Sequence, residues 1–412
     1  MRLNIYLSVG ILFLKLGDKM KSYLKTTAGF VLSATMATAS YGATVNIGEL
    51  QGFTGPIESM APAMSSGANL AVTEVNASGK YLYGTIAVIV GDSKCIDAEV
   101  AVAEAERMIN DENVIAIMGP SCSGNTGTVA MNVSKPNGVI NISPSATSPS
   151  LTDLEDDGWM FRTAGSDSRQ AAALVSASIR RGITDMAVTY TNSDYGKGLA
   201  DSFASQYEAA GGTISIMAAH EDDKADYSAD VAALSAGGSS TLAVFGYADQ
   251  GGKGILTASE DTGAFTDYVF ADGMMSATTE GAVPDGSWGT KPAPSADLLA
   301  AWLALATAGG FDGSGVFAAE AYDAMALIIL SSQAAGGTDR AAIQAQVMNV
   351  ANAPGIQCNA GELGTCLKYI SGGLEVDYVG ATGIEFTAVG EAKGSYSEEE
   401  IIGAAFTSVG MH

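Results

Sequence analysis

From Thr44 onward, short apolar runs alternate with amphipathic stretches. Residues 45–50, 85–90, 114–118 and 139–142 are nearly continuous apolar segments bounded by turn residues, the pattern of strands buried on both faces of a parallel sheet. Between them, 57–77, 98–110 and a short stretch from Gly124 carry helical patterning, with Val100, Ala103, Ala105 and Met108 among the apolar positions of the second. The segment Trp159-Met160-Phe161-Arg162-Thr163 breaks this rhythm, which then restarts: helices over 167–181, 198–210, 228–236 and 251–262 alternate with strands over 186–190, 213–217, 242–245 and 268–271. A Gly/Pro-rich stretch, 281–294, leads to helices over 295–308, 316–335 and 338–350 with no strands between them. The pattern predicts an α/β chain of two lobes, each a parallel sheet flanked by helices. Residues 44–163 and 286–372 are assigned to the first lobe. Residues 164–285 and 373–412 are assigned to the second, with 378–386 and the tail returning to it across a multi-strand hinge.

The chain has 412 residues, 47% hydrophobic, which is long enough for two lobes with cores of their own; a single lobe would be unusually large. Its start is of another kind. Met20-Lys21-Ser22-Tyr23-Leu24-Lys25 is a basic leader, 28–36 is moderately apolar, and Ala37-Thr38-Ala39 or Ser40-Tyr41-Gly42 offers small residues for cleavage. Residues 1–42 therefore read as a secretory signal peptide, preceded by an apolar run, 3–16, that either comes from an overextended start or anchors the chain in a membrane. Residues 1–42 hold Arg2, Lys15, Lys19, Lys21, Lys25 and one acid, Asp18, so the net charge of −25 becomes about −29 without them. Such acidity excludes nucleic acid and anionic membranes as partners and otherwise suits a solvated surface. An even number of cysteines in an exported chain points to disulfides, with three pairings open. Cys95 and Cys122 follow neighbouring strands, which brings them together and leaves Cys358 and Cys366 to pair across a short loop. A zinc site is poorly served by only two histidines, His220 and His412.

Catalytic signatures are missing. The chain holds no G-x-S-x-G. His220 beside Glu221-Asp222-Asp223 reads as a solvated loop residue. Gly313-Ser314-Gly315-Val316-Phe317-Ala318 fits a dinucleotide fingerprint in letters but follows a helix where a strand is required, so it reads as a helix start. No cofactor is expected. Two hydroxyl-rich loops remain: 119–127 (GPSCSGNTG) and 142–149 (ISPSATSP), both at strand ends, where open parallel sheets bind ligands. Backbone N–H groups there, with Ser121, Ser123, Ser145 and Thr147, suit a small anion, a carboxylate better than a phosphate because no Lys or Arg attends it. The alternative for Ser123 and Thr147 is capping alone. In the second lobe Tyr195, Tyr247 and Asp272 also follow strands; each is either a cleft residue or, for the tyrosines, wedge packing and, for Asp272, a turn residue before glycine.

Gly55-Pro56, Gly67-Ala68-Asn69-Leu70-Ala71-Val72, Gly119 to Ser123, Ile142-Ser143-Pro144-Ser145-Ala146-Thr147, Phe161-Arg162-Thr163-Ala164, Tyr195-Gly196-Lys197-Gly198-Leu199-Ala200 and Ala321-Tyr322-Asp323-Ala324 occur in an order and spacing that resembles the periplasmic leucine/isoleucine/valine-binding protein family of ABC-importer receptors. The resemblance covers nearly all of the chain after the leader. It implies a type I periplasmic binding protein: an exported receptor, not an enzyme, that clasps an amino acid or analogue and passes it to an inner-membrane ABC permease; a monomer is expected. It implies that Ser123 and Thr147 bind the α-carboxylate, that the Ser145 carbonyl and Thr147 hydroxyl accept from the ammonium, and that Asp272 neutralises it. Tyr195 and Tyr247 then close from the opposite lobe, with Phe317 near the side-chain pocket, and the Cys95–Cys122 pairing gains support. Two departures stand out: Met60 replaces a pocket tyrosine, and Asp272 is one methylene shorter than the family's glutamate. The alternative role is an exported ligand-sensing subunit of the same fold that regulates a partner protein.

Overall fold

The computed structural model describes residues 42–412; the signal-peptide reading of 1–42 lies outside the described residues but for Gly42. Two sheets organise the chain. The first is parallel, in the order β2-β1-β3-β4-β5, from β1 (Thr44–Gln51), β2 (Thr85–Asp92), β3 (Ile117–Met118), β4 (Asn141–Ser143) and β5 (Met160–Arg162). The second is mixed, in the order β14-β13-β10-β9-β8-β6-β7. Its strands are β6 (Asp185–Thr191), β7 (Thr213–His220), β8 (Thr241–Phe245), β9 (Asp267–Phe270), β10 (Trp288–Pro292), β13 (Tyr396–Ile401) and β14 (Phe406–Met411). A small pair, β11 (Ile356–Asn359) and β12 (Val376–Gly380), stands apart.

The helix Ala318–Ala334 is mostly apolar and is buried on all sides except at its last residue, its acids Glu320 and Asp323 included. It lies against the helix Ala61–Ser78 at very close range: a β-carbon on Gly67 would stand 2.0 Å from the Ala318 carbonyl oxygen. Glycine is required there by contact, not by backbone conformation. Gly67→Ala is expected to lower stability by about 1–3 kcal/mol through overpacking, read as a lower urea midpoint at unchanged slope.

Two stretches fall on the side opposite to the one the rhythm predicts. Residues 288–292, assigned to the first lobe, form β10, parallel to β9 and antiparallel to β13 in the second sheet, with Arg181 stacked 4.6 Å over the Trp288 ring. Residues 376–382, assigned to the second lobe, stay with the first. The reason is Asp323 of the buried helix, whose carboxylate accepts from Tyr378 Oη (2.7 Å), Ala381 N (2.8 Å), Thr382 N (2.9 Å) and Thr382 Oγ1 (2.7 Å). The chain thus passes between the sheets three times, near 163–166, 293–295 and 393–395. These passages touch: Ala293 N donates to Ser395 O at 3.0 Å, Tyr396 Oη donates to Ser166 O at 3.1 Å, and a β-carbon on Gly165 would meet the Tyr396 hydroxyl at 2.7 Å.

Cys95 is bonded to Cys122 and Cys358 to Cys366, with Cα–Cα distances of 5.2 and 5.8 Å. Among the described residues no helix is long and apolar enough to cross a membrane.

Candidate functional site

The hydroxyl-rich loops are shaped by one buried arginine. Arg162, 1% exposed on β5, donates from Nη1 to the carbonyls of Ala146 (3.1 Å) and Ser148 (2.8 Å) and from Nη2 to Thr152 Oγ1 (2.9 Å) and Glu391 (2.6 Å). The loop after β4 is therefore held from behind by its own carbonyls. The Ser143 hydroxyl receives the amides of Ser145 and Ala146, and Ser148 N donates to Ser123 Oγ at 3.1 Å, which ties the two loops together. The helix after β3 starts at Ser123 with Cys122 at its cap, and its first internal bond is Thr126 N to Cys122 O. The amides of Ser123, Gly124 and Asn125 precede that bond and have no partner within the helix.

On the facing wall, Tyr195 Oη donates to Asp272 Oδ1 at 3.2 Å and accepts from Gly273 N at 3.1 Å, and the rings of Tyr195 and Tyr247 stack 5.2 Å apart. Between the walls lies a cavity of about 20 Å³, on the scale of one water molecule. Met60, Ser123, Ser145, Tyr195, Tyr247, Asp272 and Phe317 all line it. Thr147 does not: it is fully buried at the rim of the same loop. The turn reading of Asp272 also has substance, since it opens the short 3-10 turn Asp272–Met274.

Sequence reasoning passed over Ile57 and Met64 on the cavity wall and, behind it, Asp167 and Gln170. Asp167 begins the helix Asp167–Arg180 and donates its amide to the Thr147 carbonyl at 2.8 Å, yet neither carboxylate oxygen meets a hydrogen-bond partner. The Thr147 hydroxyl and Gln170 Oε1 are likewise buried without partners. Burial and then the neighbouring Asp272 push the Asp167 carboxyl well above the ordinary range, opposed by the Thr147 hydroxyl, close to it though outside hydrogen-bond geometry, and by the charge of Arg162. Burial pushes Asp272 up to about 6, against hydrogen bonding from Gln170 and Tyr195. The only hint of Asp167 in the sequence is an acid in a helical first turn, a position usually explained by the helix dipole alone.

His220 corrects the sequence reading. It ends β7 in register with Thr191, is 1% exposed, and bonds Thr189 Oγ1 through Nδ1 at 2.8 Å; burial lowers its pKa to about 4. It is a neutral packing residue. Among the described residues no group of three or more His, Cys, Asp or Glu is placed to hold a metal ion.

The model of a family described as periplasmic binding protein matches residues 44–356. The Leu/Ile/Val-binding protein BraC3 of Rhizobium johnstonii is 28% identical over 270 residues, 65% of this chain and 72% of the relative. A leucine-, isoleucine-, valine-, threonine- and alanine-binding protein of Pseudomonas aeruginosa is 26% identical over 327 residues, 75% and 84% of the two chains. Among solved structures, the branched-chain amino acid transporter substrate-binding protein LivJ of Streptococcus pneumoniae, in complex with isoleucine, superposes with a TM-score of 0.72 at 22% identity, covering 89% of this chain and all of the other. A Rhodopseudomonas palustris solute-binding protein in complex with 4-hydroxybenzoate gives 0.73 at 17% identity, covering 90% and 97%. At these identities the structural likeness concerns the fold: two lobes of the type I arrangement.

Proposed function

Because the chain belongs to the periplasmic binding protein family, we propose that it is an exported, non-enzymatic receptor that clasps an amino acid or amino-acid-like solute between its lobes and delivers it to the permease of an ABC importer. One observation carries the choice of ligand. The buried groups left without partners beside Asp272 include Thr147 Oγ1, both Asp167 oxygens and Gln170 Oε1, all able to accept and, apart from the hydroxyl and with Asp167 ionised, unable to donate. Buried acceptors of this kind are costly unless donors reach them. An ammonium supplies three N–H donors and a positive charge, where a plain carboxylic acid would supply neither.

In this reading the free amides near Ser123 and Thr147 hold the carboxylate, the Ser145 carbonyl and Thr147 hydroxyl accept from the ammonium, and Asp272 neutralises it. Tyr195 and Tyr247 cover the ligand from the second lobe, so they and Asp272 are engaged only on closure, and the ligand's preference for the closed form shifts the population toward it. The permease then meets a closed, single-chain receptor. Thermal unfolding against a panel of amino acids tests the class: a ligand at about 100 times its Kd stabilises by about 2.7 kcal/mol, and no shift with any amino acid defeats it.

A pH dependence follows from Asp272. The ammonium pairs with the ionised carboxylate, so affinity should hold above about pH 6 and fall about tenfold per pH unit below it. Without ligand the sign reverses. The folded-state pKa lies above the unfolded one, so protonated Asp272 stabilises at low pH and that contribution is lost as pH rises through about 6. Calorimetric titration from about pH 4.5 to 7.5 would contradict this assignment by a flat affinity profile.

A further inference from the structure

The small cavity has a large neighbour. On the far side of Met60 and Phe317, which border both, lies a second space of about 770 Å³, also walled by both lobes. That is within the range of sites that enclose small molecules, whereas the first space alone holds no side chain. Met60 is a flexible thioether able to change rotamer. Phe317 is the reverse: a bulky residue held at φ 63°, in the left-handed region, and 4% exposed. Such a conformation persists only where the surroundings enforce it, and it sets the ring at the partition between the two spaces.

The larger space has a polar end. Glu280, Asp312, Glu320 and Glu399 line it against one base, Lys291. Three of these acids are engaged: Glu280 accepts from Phe406 N, Asp312 from Ser314 N, and Glu399 from Ser397 Oγ with Lys291 3.8 Å away. Glu320 is different. It is 5% exposed, it lines the space, and among the described residues its carboxylate makes no hydrogen bond or ion pair with another residue. A buried carboxyl with open acceptor sites facing a cavity is placed to receive an N–H donor brought by something else.

We propose that the ligand's side chain passes between Met60 and Phe317 into the larger space, and that the receptor takes an amino acid with an extended side chain ending in N–H donors, an ammonium, guanidinium or amide, received by Glu320. This rests on the amino-acid reading of the small cavity. Arginine, lysine and glutamine represent the class; alanine, leucine and norleucine are the comparison, norleucine matching lysine in all but the terminal amine.

Isothermal titration calorimetry on ligand-stripped protein decides it. The best of arginine, lysine and glutamine should bind at least about tenfold tighter than norleucine, and Glu320→Leu should shrink that ratio below about threefold. Equal or tighter binding of norleucine or leucine, or a ratio unchanged in Glu320→Leu, overturns the inference. Ala277→Trp, at an exposed helix start on the rim of the larger space, serves where Glu320→Leu does not fold. It should weaken the tailed ligands by about tenfold while alanine binding holds; equal effects on both overturn the inference. Binding of any amino acid that depends on Asp272 keeps the amino-acid reading alive in either case, whereas binding of none removes both.

Discussion

Asp272→Ala should weaken α-amino acid binding by at least about 100-fold while the corresponding acids without the amine lose less than about threefold. Asp272 is 3% exposed, and Gln170 and Tyr195 take up only part of its acceptor capacity. An ammonium brought beside it is desolvated as well, and removing one member of a buried charge pair costs about 3–5 kcal/mol; 100-fold corresponds to about 2.7 kcal/mol. Part of the loss is indirect, because Tyr195 Oη would lose its acceptor and keep only the Gly273 amide. Calorimetry with paired amino and des-amino ligands separates the effects. Equal losses for both members of a pair would mean that Asp272 shapes the wall and does not meet the amine.

Arg162→Met should be the most destabilising single change, by about 3–5 kcal/mol. The substitution keeps most of the buried volume but strips Glu391, 6% exposed, of its ion pair and leaves the carbonyls of Ala146 and Ser148 without their donor. Urea unfolding measures the loss directly. Adding Glu391→Leu should recover a large part of it, because an uncompensated buried charge is worse than none. A loss below about 1 kcal/mol for Arg162→Met alone would show that the network carries little of the fold.

Most of the β/α alternation was legible because most strands of both sheets are short apolar runs between helices, with neighbours close in sequence; β5, Met-Phe-Arg, was read only as a break in the rhythm. Legibility failed where pairing is remote. Trp288–Pro292 contains Gly289 and Pro292 inside a Gly/Pro-rich stretch, and its strand character depends on β13, more than a hundred residues later. Val376–Gly380 looked like a return to the second lobe because nothing local discloses that Asp323 captures the segment after it. His220 was misplaced because the strand read as 213–217 runs three residues further: its acidic followers are polar, but it is the last residue of its strand.

The site shows the same division. Loops that end strands announce themselves by hydroxyl and glycine content, and Ser123, Ser145, Tyr195, Tyr247 and Asp272 converge on one cavity together with Met60 and Phe317. Asp167 and Gln170 were hidden because their significance lies in what surrounds them. A helix start becomes a buried acceptor only when the Thr147 loop, the Asp272 turn and β10 close around it, Gln170 reaching the Thr290 carbonyl at 2.9 Å.

Three strands of chain bind the halves of the molecule along one seam, laced by Ala293, Ser395, Tyr396 and Ser166. A lone tether would leave the halves free to roll and slide, and two would still admit a shear. With three fastened side by side, one rotational coordinate remains soft and the others are stiff. The outer faces of the halves therefore have a common relative bearing at any given angle, and anything that grips both at once reads that angle as a single number.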